Sequence, residues 1–269
     1  MNYRHSYHAG NHADVLKHLI LIACLTHLKQ KPAPFAVLDT HAGAGDYALN
    51  DTPAAEWRAG AGRIFDWAEA PAAIAPYRAA LHAANPDGAL RAYPGSPRLA
   101  RAALRGGDRL IACELHPEEA DALKRAFRND RQAQIHARDG WGALRALLPP
   151  AERRGLVLID PPYEAEDELN RGAQALAEAL TRFPGPYLWW RPLKDPVAVD
   201  AADAEVRARA PSLETLRVDL RVGAPDGKLN ASSVLAANPP YGLETTLRAA
   251  LPALAQRLAV DAAVAWAVT

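Results

Sequence analysis

Asp160, Pro161, Pro162 and Tyr163 are the residues of this chain whose types and order could do chemistry. Two consecutive prolines have fixed φ angles and no N–H, so the segment leaving the apolar run Leu156–Ile159 is extended and rigid. A carboxylate, the Pro161 carbonyl and the Tyr163 ring are thereby held on one short arch. The two oxygens could accept both hydrogens of an amino group conjugated to a heteroaromatic ring. That would favour a more tetrahedral nitrogen, with its lone pair free to attack an electrophilic carbon while the tyrosine stacks on the ring. The same four residues also suit a strand followed by a proline-rich turn in which Asp160 is only a cap.

The arch is similar to the Asp/Asn-Pro-Pro-aromatic motif of amino-methyltransferases that use S-adenosylmethionine, and the elements around it fit such a site. Leu156–Ile159 has the composition of a strand buried on both faces of a parallel sheet. A second buried strand within Pro34–Gly45 runs into a Gly-rich turn, where His41 and Gly43 lie and a ligand could approach the backbone closely. That turn lacks the full GxGxxG and any P-loop lysine, which counts against dinucleotide and ATP binding. A third strand, Arg109–Cys113, ends in Glu114, an acid suited to accept from both hydroxyls of a ribose. Asp139 and Gly140 open a helix, and Asp139 either accepts the adenine amine of the cofactor or only caps the helix. Ser96, in the turn Pro94–Pro97, either caps the next helix or reaches a ligand.

Asn11 can cap a helix running to about Lys29, with Lys17 and His18 on its polar side. That side is either solvated or a seat for the carboxylate end of the cofactor. The arm before it carries Tyr3 and His5. His8 and His12 have an i, i+4 spacing, but the glycine between them and the missing glutamate count against a metal site. Residues 47–92, Ala-rich and punctuated by Pro53, Pro71, Pro76 and Pro86, predict a small helical subdomain inserted into the fold. The main domain is then 1–46 and 93–269, with 1–31 as its N-terminal arm and helix. Asn238-Pro239-Pro240-Tyr241 is a competing copy of the arch. Asp160 should end the fourth strand, beside the Gly-loop strand, whereas Asn238 should end a late strand near the sheet edge and form only a turn.

With 269 residues the chain can bury a full core, and 49% hydrophobic with 23% charged residues is ordinary for a soluble globular protein. Net charge is zero and the pI about 7.1, so any nucleic-acid contact must come from local patches. Arginine supplies most of the 31 basic residues, which suits phosphate contacts. Cys24 and Cys113 sit in apolar runs without CxxC pairing and are expected to be buried thiols. No leader and no membrane-length apolar run is visible, so a cytoplasmic protein without membrane contact is expected.

Five blocks in order, YRHSYHAGNHADVLKH from Tyr3, LDTHAGAG from Leu38, YPGSP from Tyr93, ELHP from Glu114 and RRGLVLIDPPYE from Arg153, resemble the RlmJ family of 23S ribosomal RNA adenine-N6 methyltransferases. The resemblance implies an α/β class I S-adenosylmethionine-dependent fold, Rossmann-like with a mostly parallel sheet and an inserted helical subdomain. It also implies a metal-free reaction on 23S rRNA that yields S-adenosylhomocysteine. A monomer is expected. Carried over by position, Asp160 is the catalytic residue and Tyr3 faces the substrate; Pro161 and Tyr163 assist on the arch, and His5 lies beside Tyr3. His18, His41, Gly43, Ser96, Glu114, Asp139, Gly140 and Asp160 contact the cofactor, and Lys17 is a functional neighbour. The segment Trp190–Lys194 and the insertion depart from the family. DNA adenine or a protein amide as acceptor, a noncatalytic RNA-binding module and a His-metal hydrolase are the other readings of the chain.

Overall fold

In the computed structural model, which describes residues 7–49, 55–165 and 167–269, an eight-stranded sheet forms the centre. The strands are β1 (Ala36–Asp39), β2 (Asp46–Ala48), β3 (Ala92–Pro94), β4 (Arg109–Glu114), β5 (Ala133–Ala137), β6 (Gly155–Ile159), β7 (Tyr187–Pro192), β8 (Thr215–Arg221), β9 (Ala231–Ala237) and β10 (Ala265–Val268). The helices are α1 (His12–Leu28), α2 (Ala61–Phe65), α3 (Ala75–Ala83), α4 (Ser96–Ala103), α5 (Pro117–Ala126), α6 (Gly140–Leu147), α7 (Glu168–Arg182), α8 (Pro196–Arg209) and α9 (Leu243–Leu258). The sheet order is β10-β8-β9-β7-β6-β1-β4-β5, and β2 pairs with β3 apart from it. From β5 to β7 every pairing is parallel. The order reverses at β1, which pairs with β4 on one side and β6 on the other, so the crevice for a ligand opens past Asp39 and Asp160. This is the class I methyltransferase arrangement, an α/β fold with a mostly parallel sheet.

Strands buried on both faces explain the continuous apolar runs, because helices cover both sides. Val37, Leu110, Leu156 and Leu158 pack toward α1, α4, α5 and α9, while Leu38, Ile111, Val157 and Ile159 pack toward α6, α7 and α8. Asn11 caps α1 through its side-chain oxygen, which accepts from Ala13 N at 2.9 Å and Asp14 N at 3.2 Å. The polar side of α1 is buried, not solvated: Asp14, Lys17 and His18 are each under 5% exposed. The cause is the segment between β2 and β3, whose Ile64, Phe65, Ile74, Tyr77 and Leu81 join the same core as α1.

One expectation is corrected at the far side of the sheet. β9 is not near the edge; it lies between β7 and β8 and is antiparallel to both. Asn238 therefore emerges at the opposite rim from Asp160, where its Nδ2 donates to Pro184 O just ahead of β7. The apolar tail 262–268 supplies β10, the edge strand, paired antiparallel with β8.

Arg191 on β7 is fully buried and ion-paired with buried Asp203 of α8, with a further bond to Ser233 Oγ at 2.8 Å. Arg217 reaches the same Asp203 at 3.2 Å. Removing one member leaves an uncompensated charge in the core. Asp203→Ala should cost about 3–5 kcal/mol in denaturant unfolding, whereas Arg191→Met combined with Asp203→Leu should recover most of that loss.

Candidate active site

The C-terminal ends of β1, β4, β5 and β6 bring Asp39, Glu114, Asp139 and Asp160 to one rim. β6 stops at Ile159, and residues 160–164 form no regular structure, as two prolines require. Tyr163 has φ of 50°, a left-handed conformation that a bulky residue adopts only when its surroundings hold it. Here its hydroxyl donates to Trp190 O at 2.7 Å, and its ring meets Trp190 edge-on at 5.6 Å. The arch is thus tied to the end of β7.

Lys17 bridges two carboxylates of the site. Its ammonium lies between Asp14 Oδ1, at 2.8 Å, and Asp160 Oδ2. Burial pulls the Lys17 pKa down, but the fields of the two carboxylates outweigh it and the net shift is upward, so the group stays charged. Its ammonium also sits 6.0 Å from the Trp190 ring centre. Asp14 in turn accepts from Gly10 N at 2.8 Å. His18 points elsewhere than Lys17: its Nδ1 shares a 2.6 Å hydrogen bond with Tyr93 Oη, which is 3.0 Å from Tyr77 Oη. The two residues do not face a common cleft as a pair.

The Gly-rich turn is built for close approach, not for anion capture. Gly43 N donates to Glu114 Oε2 at 2.8 Å, and Ala44 N donates to Tyr47 Oη at 3.1 Å, so two donors a phosphate would need are already used. Gly43 has φ of 60°, and a Cβ there would overlap Tyr47 Oη. Glu114 also accepts from His116 N at 2.7 Å, which fixes both oxygens at the rim while each keeps a lone pair. Asp139 does cap α6, accepting from Gly142 N at 2.8 Å. Gly140 touches Thr40 and His41 so closely that a Cβ would lie 2.7 Å from His41 Nε2. His41 Nδ1 bonds Thr40 Oγ1 at 2.8 Å and the ring stands edge-on to Trp141; burial lowers its pKa to about 4, leaving it neutral.

Asp39 was not among the sequence candidates. It is 1% exposed, its carboxyl makes no well-formed hydrogen bond within the described residues, and the Ser96 side chain and the His41 backbone N–H are the polar groups that act on it. Its position at the end of the strand entering the Gly-rich turn was the available signal. Trp190 was also missed, being visible only once β7 and α1 face each other across Lys17; Asp14 lies at i, i+3 to Lys17, a helical spacing the sequence does show. Tyr3 and His5 lie outside the described residues. Among the described residues no group of three or more His, Cys, Asp or Glu is arranged to hold a metal ion.

Residues 32–268 match the family model described as ribosomal RNA large subunit methyltransferase D, RlmJ. The chain belongs to this family. Among its relatives, the ribosomal RNA large subunit methyltransferase J of Escherichia coli K12 is 40% identical over 96% of this chain and 94% of its own. The protein of the same name from Haemophilus influenzae is 38% identical over 100% and 98%. A crystal structure of protein LPL1258 from Legionella pneumophila superposes with a TM-score of 0.91 at 30% identity, covering 97% of this chain and 98% of that one. As a member of the RlmJ family the chain is a methyltransferase of large-subunit ribosomal RNA, and the family implies S-adenosylmethionine as methyl donor. No helix among the described residues is long and apolar enough to cross a membrane.

Burial lifts the Asp39 pKa from its ordinary 3.8 to about 7, against the lowering influence of Ser96. The folded state then holds this proton more tightly than the unfolded chain, so stability falls as pH rises from about 4 to about 7, and the deficit persists above. Asp39→Asn should match the parent near pH 4 and exceed it at pH 8 by on the order of a few kcal/mol. A stability difference that does not change between those pH values, followed by thermal unfolding, would refute this account.

Proposed function

We propose that this protein methylates the exocyclic N6 of a specific adenine in 23S ribosomal RNA. The observation that carries it is the place of the Asp160 arch, past the end of β6 and directly beside β1, in a chain of the RlmJ family. When bound, S-adenosylmethionine supplies the electrophilic methyl of a sulfonium, and the residues here fit it. Glu114 would take the ribose hydroxyls and Asp139, with Gly140 behind it, the adenine amine; Gly43 admits close approach. His18, His41 and Ser96 complete the proposed cofactor wall.

Lys17 bonds Asp160 through Oδ2, so Oδ1 would accept one N–H of the target amine, with the Pro161 carbonyl accepting the other. Both bonds draw the nitrogen away from conjugation with its ring, and holding it in line supplies much of the acceleration. The nitrogen becomes acidic only after the methyl has transferred, so Asp160 can take the surplus proton late without being a strong base. Lys17 keeps the carboxylate in register throughout. Tyr163, fixed through its hydroxyl, offers its ring to the unstacked base, and Tyr3 and His5 of the arm are proposed to meet the RNA. Residues 47–92 are proposed as the inserted subdomain on the substrate side of a domain made of 1–46 and 93–269, working as a monomer in the cytoplasm without a metal.

The decisive measurement is labelled methyl transfer to 23S rRNA lacking the modification, followed by nucleoside analysis. The parent should yield N6-methyladenosine. Asp160→Ala should lower transfer by roughly a thousandfold or more, since the lost group acts on the amine. Label appearing in duplex DNA or in a protein amide, and not in rRNA, would overturn the assignment.

A further inference from the structure

On the opposite rim from the catalytic arch, three guanidinium groups have no carboxylate to answer them. Arg101, Arg125, Arg128 and Arg131, with Asn129, Asp130 and Gln132, line an open depression of about 520 Å3 between the ends of α4 and α5 and the start of β5. Arg101 is neutralised by Asp130. The other nearby acids are also engaged: Asp46 by Arg98 at 2.7 Å, and Asp121 by Lys124 at 3.4 Å. Arg125, Arg128 and Arg131 are exposed, and among the described residues none is ion-paired. Compensation of the helix dipole accounts for Arg125, in the last turn of α5. It does not account for Arg128 or Arg131, which follow the helix.

In a chain of zero net charge, such a patch is a local excess of positive charge, four arginines against Asp130. Its shape is an open bowl with amide side chains among planar, forked donors, suited to a run of phosphates and riboses and not to an enclosed small ligand. Gln132 O accepts from Leu110 N at the N-terminal end of β4, whereas Glu114 closes the same strand at the catalytic rim. At about 3.3 Å per residue the two ends are about 15 Å apart or more, a span that one nucleoside cannot bridge and a folded RNA can.

We propose that this depression is a second RNA-contacting surface, gripping the phosphate backbone of the substrate rRNA away from the target base. It rests on the ribosomal RNA reading above and adds to it a sequence-independent source of affinity. The test combines Arg125→Gln, Arg128→Gln and Arg131→Gln in the full chain, beside a charge-matched control carrying Arg207→Gln, Arg209→Gln and Arg248→Gln. Binding of an unmethylated 23S rRNA transcript is measured across salt concentrations. The patch variant should bind roughly tenfold more weakly at physiological salt, and the slope of log affinity against log salt should shrink by about three relative to the control. KM for the transcript should rise while kcat, cofactor affinity and transfer to a short adenine-containing oligonucleotide stay unchanged. Slopes equal to that of the control would overturn the proposal. So would a loss seen only on particles carrying ribosomal proteins, which would assign the surface to a protein partner. A parent that binds the transcript but transfers no methyl to it would sink the function and leave the slope to judge the patch.

Discussion

A single ammonium shared by two carboxylates, Asp14 buried and Asp160 partly exposed at the rim, holds this site together. Lys17 could not be kept charged in the core without Asp14 and Asp160. Because the three residues come from α1 and the arch after β6, the pair fixes the first helix against the catalytic end of the sheet. The connection goes further through backbone. Asp14 accepts from Gly10 N, and Gly10 O accepts from Ala61 N at 2.7 Å, at the start of α2. Insertion, N-terminal helix and arch are therefore one bonded sequence of groups. The insertion also excludes water from the polar side of α1, without which the Lys17 pairs would be surface ion pairs of little strength.

The rim around the crevice is acidic, and its Gly-rich turn has spent two of its N–H donors on Glu114 and Tyr47. A pyrophosphate would meet carboxylates and few donors. A nucleoside bearing a positive sulfonium meets the opposite: acids for its hydroxyls and amine, a backbone that lets it lie close, and a field of favourable sign. The chemistry of the donor set thus agrees with the cofactor that the family implies, on grounds independent of sequence likeness. Asp39 sharpens this, since burial of its carboxyl outweighs what Ser96 and the His41 backbone offer it, and it is more readily kept neutral than ionised.

Much of this was legible in the residues. Parallel strands covered on both faces announce themselves as short apolar runs, and both Asp160 and Glu114 follow such a run, whereas Asp139 follows the half-exposed edge strand β5 and is marked instead by the helix it opens. The capping of α1 by Asn11 and of α6 by Asp139 was equally open to reading, because caps are local. What stayed hidden depended on contacts distant in the chain. The polar side of α1 has the composition of a solvated face, and only the packing of Tyr77 and Tyr93 against it reveals that it is buried. Trp190 takes its place beside Lys17 from the meeting of β7 and α1. The final apolar residues carry no turn signal that would mark β10 as the partner of β8.

The two Pro-Pro-Tyr arches show why residue types do not by themselves make a site. Asn238-Pro239-Pro240-Tyr241 has an amide oxygen, a free carbonyl and a ring in the same order as the arch after β6. Its strand, however, runs the other way through the sheet, an inversion that period and composition cannot register, because antiparallel β9 is as buried as its parallel neighbours. The backbone differs as well: the left-handed residue is Asn238, at the start of that arch, and Tyr163, at the end of the other. Tyr241 consequently projects into solvent, 94% exposed, while Tyr163 is clamped to β7. Strand direction places one arch where helix N-termini, acids and the switch point converge, and the other where β7 begins and no crevice opens. The chemistry follows the rim, and the motif is useful only because a parallel strand delivers it there.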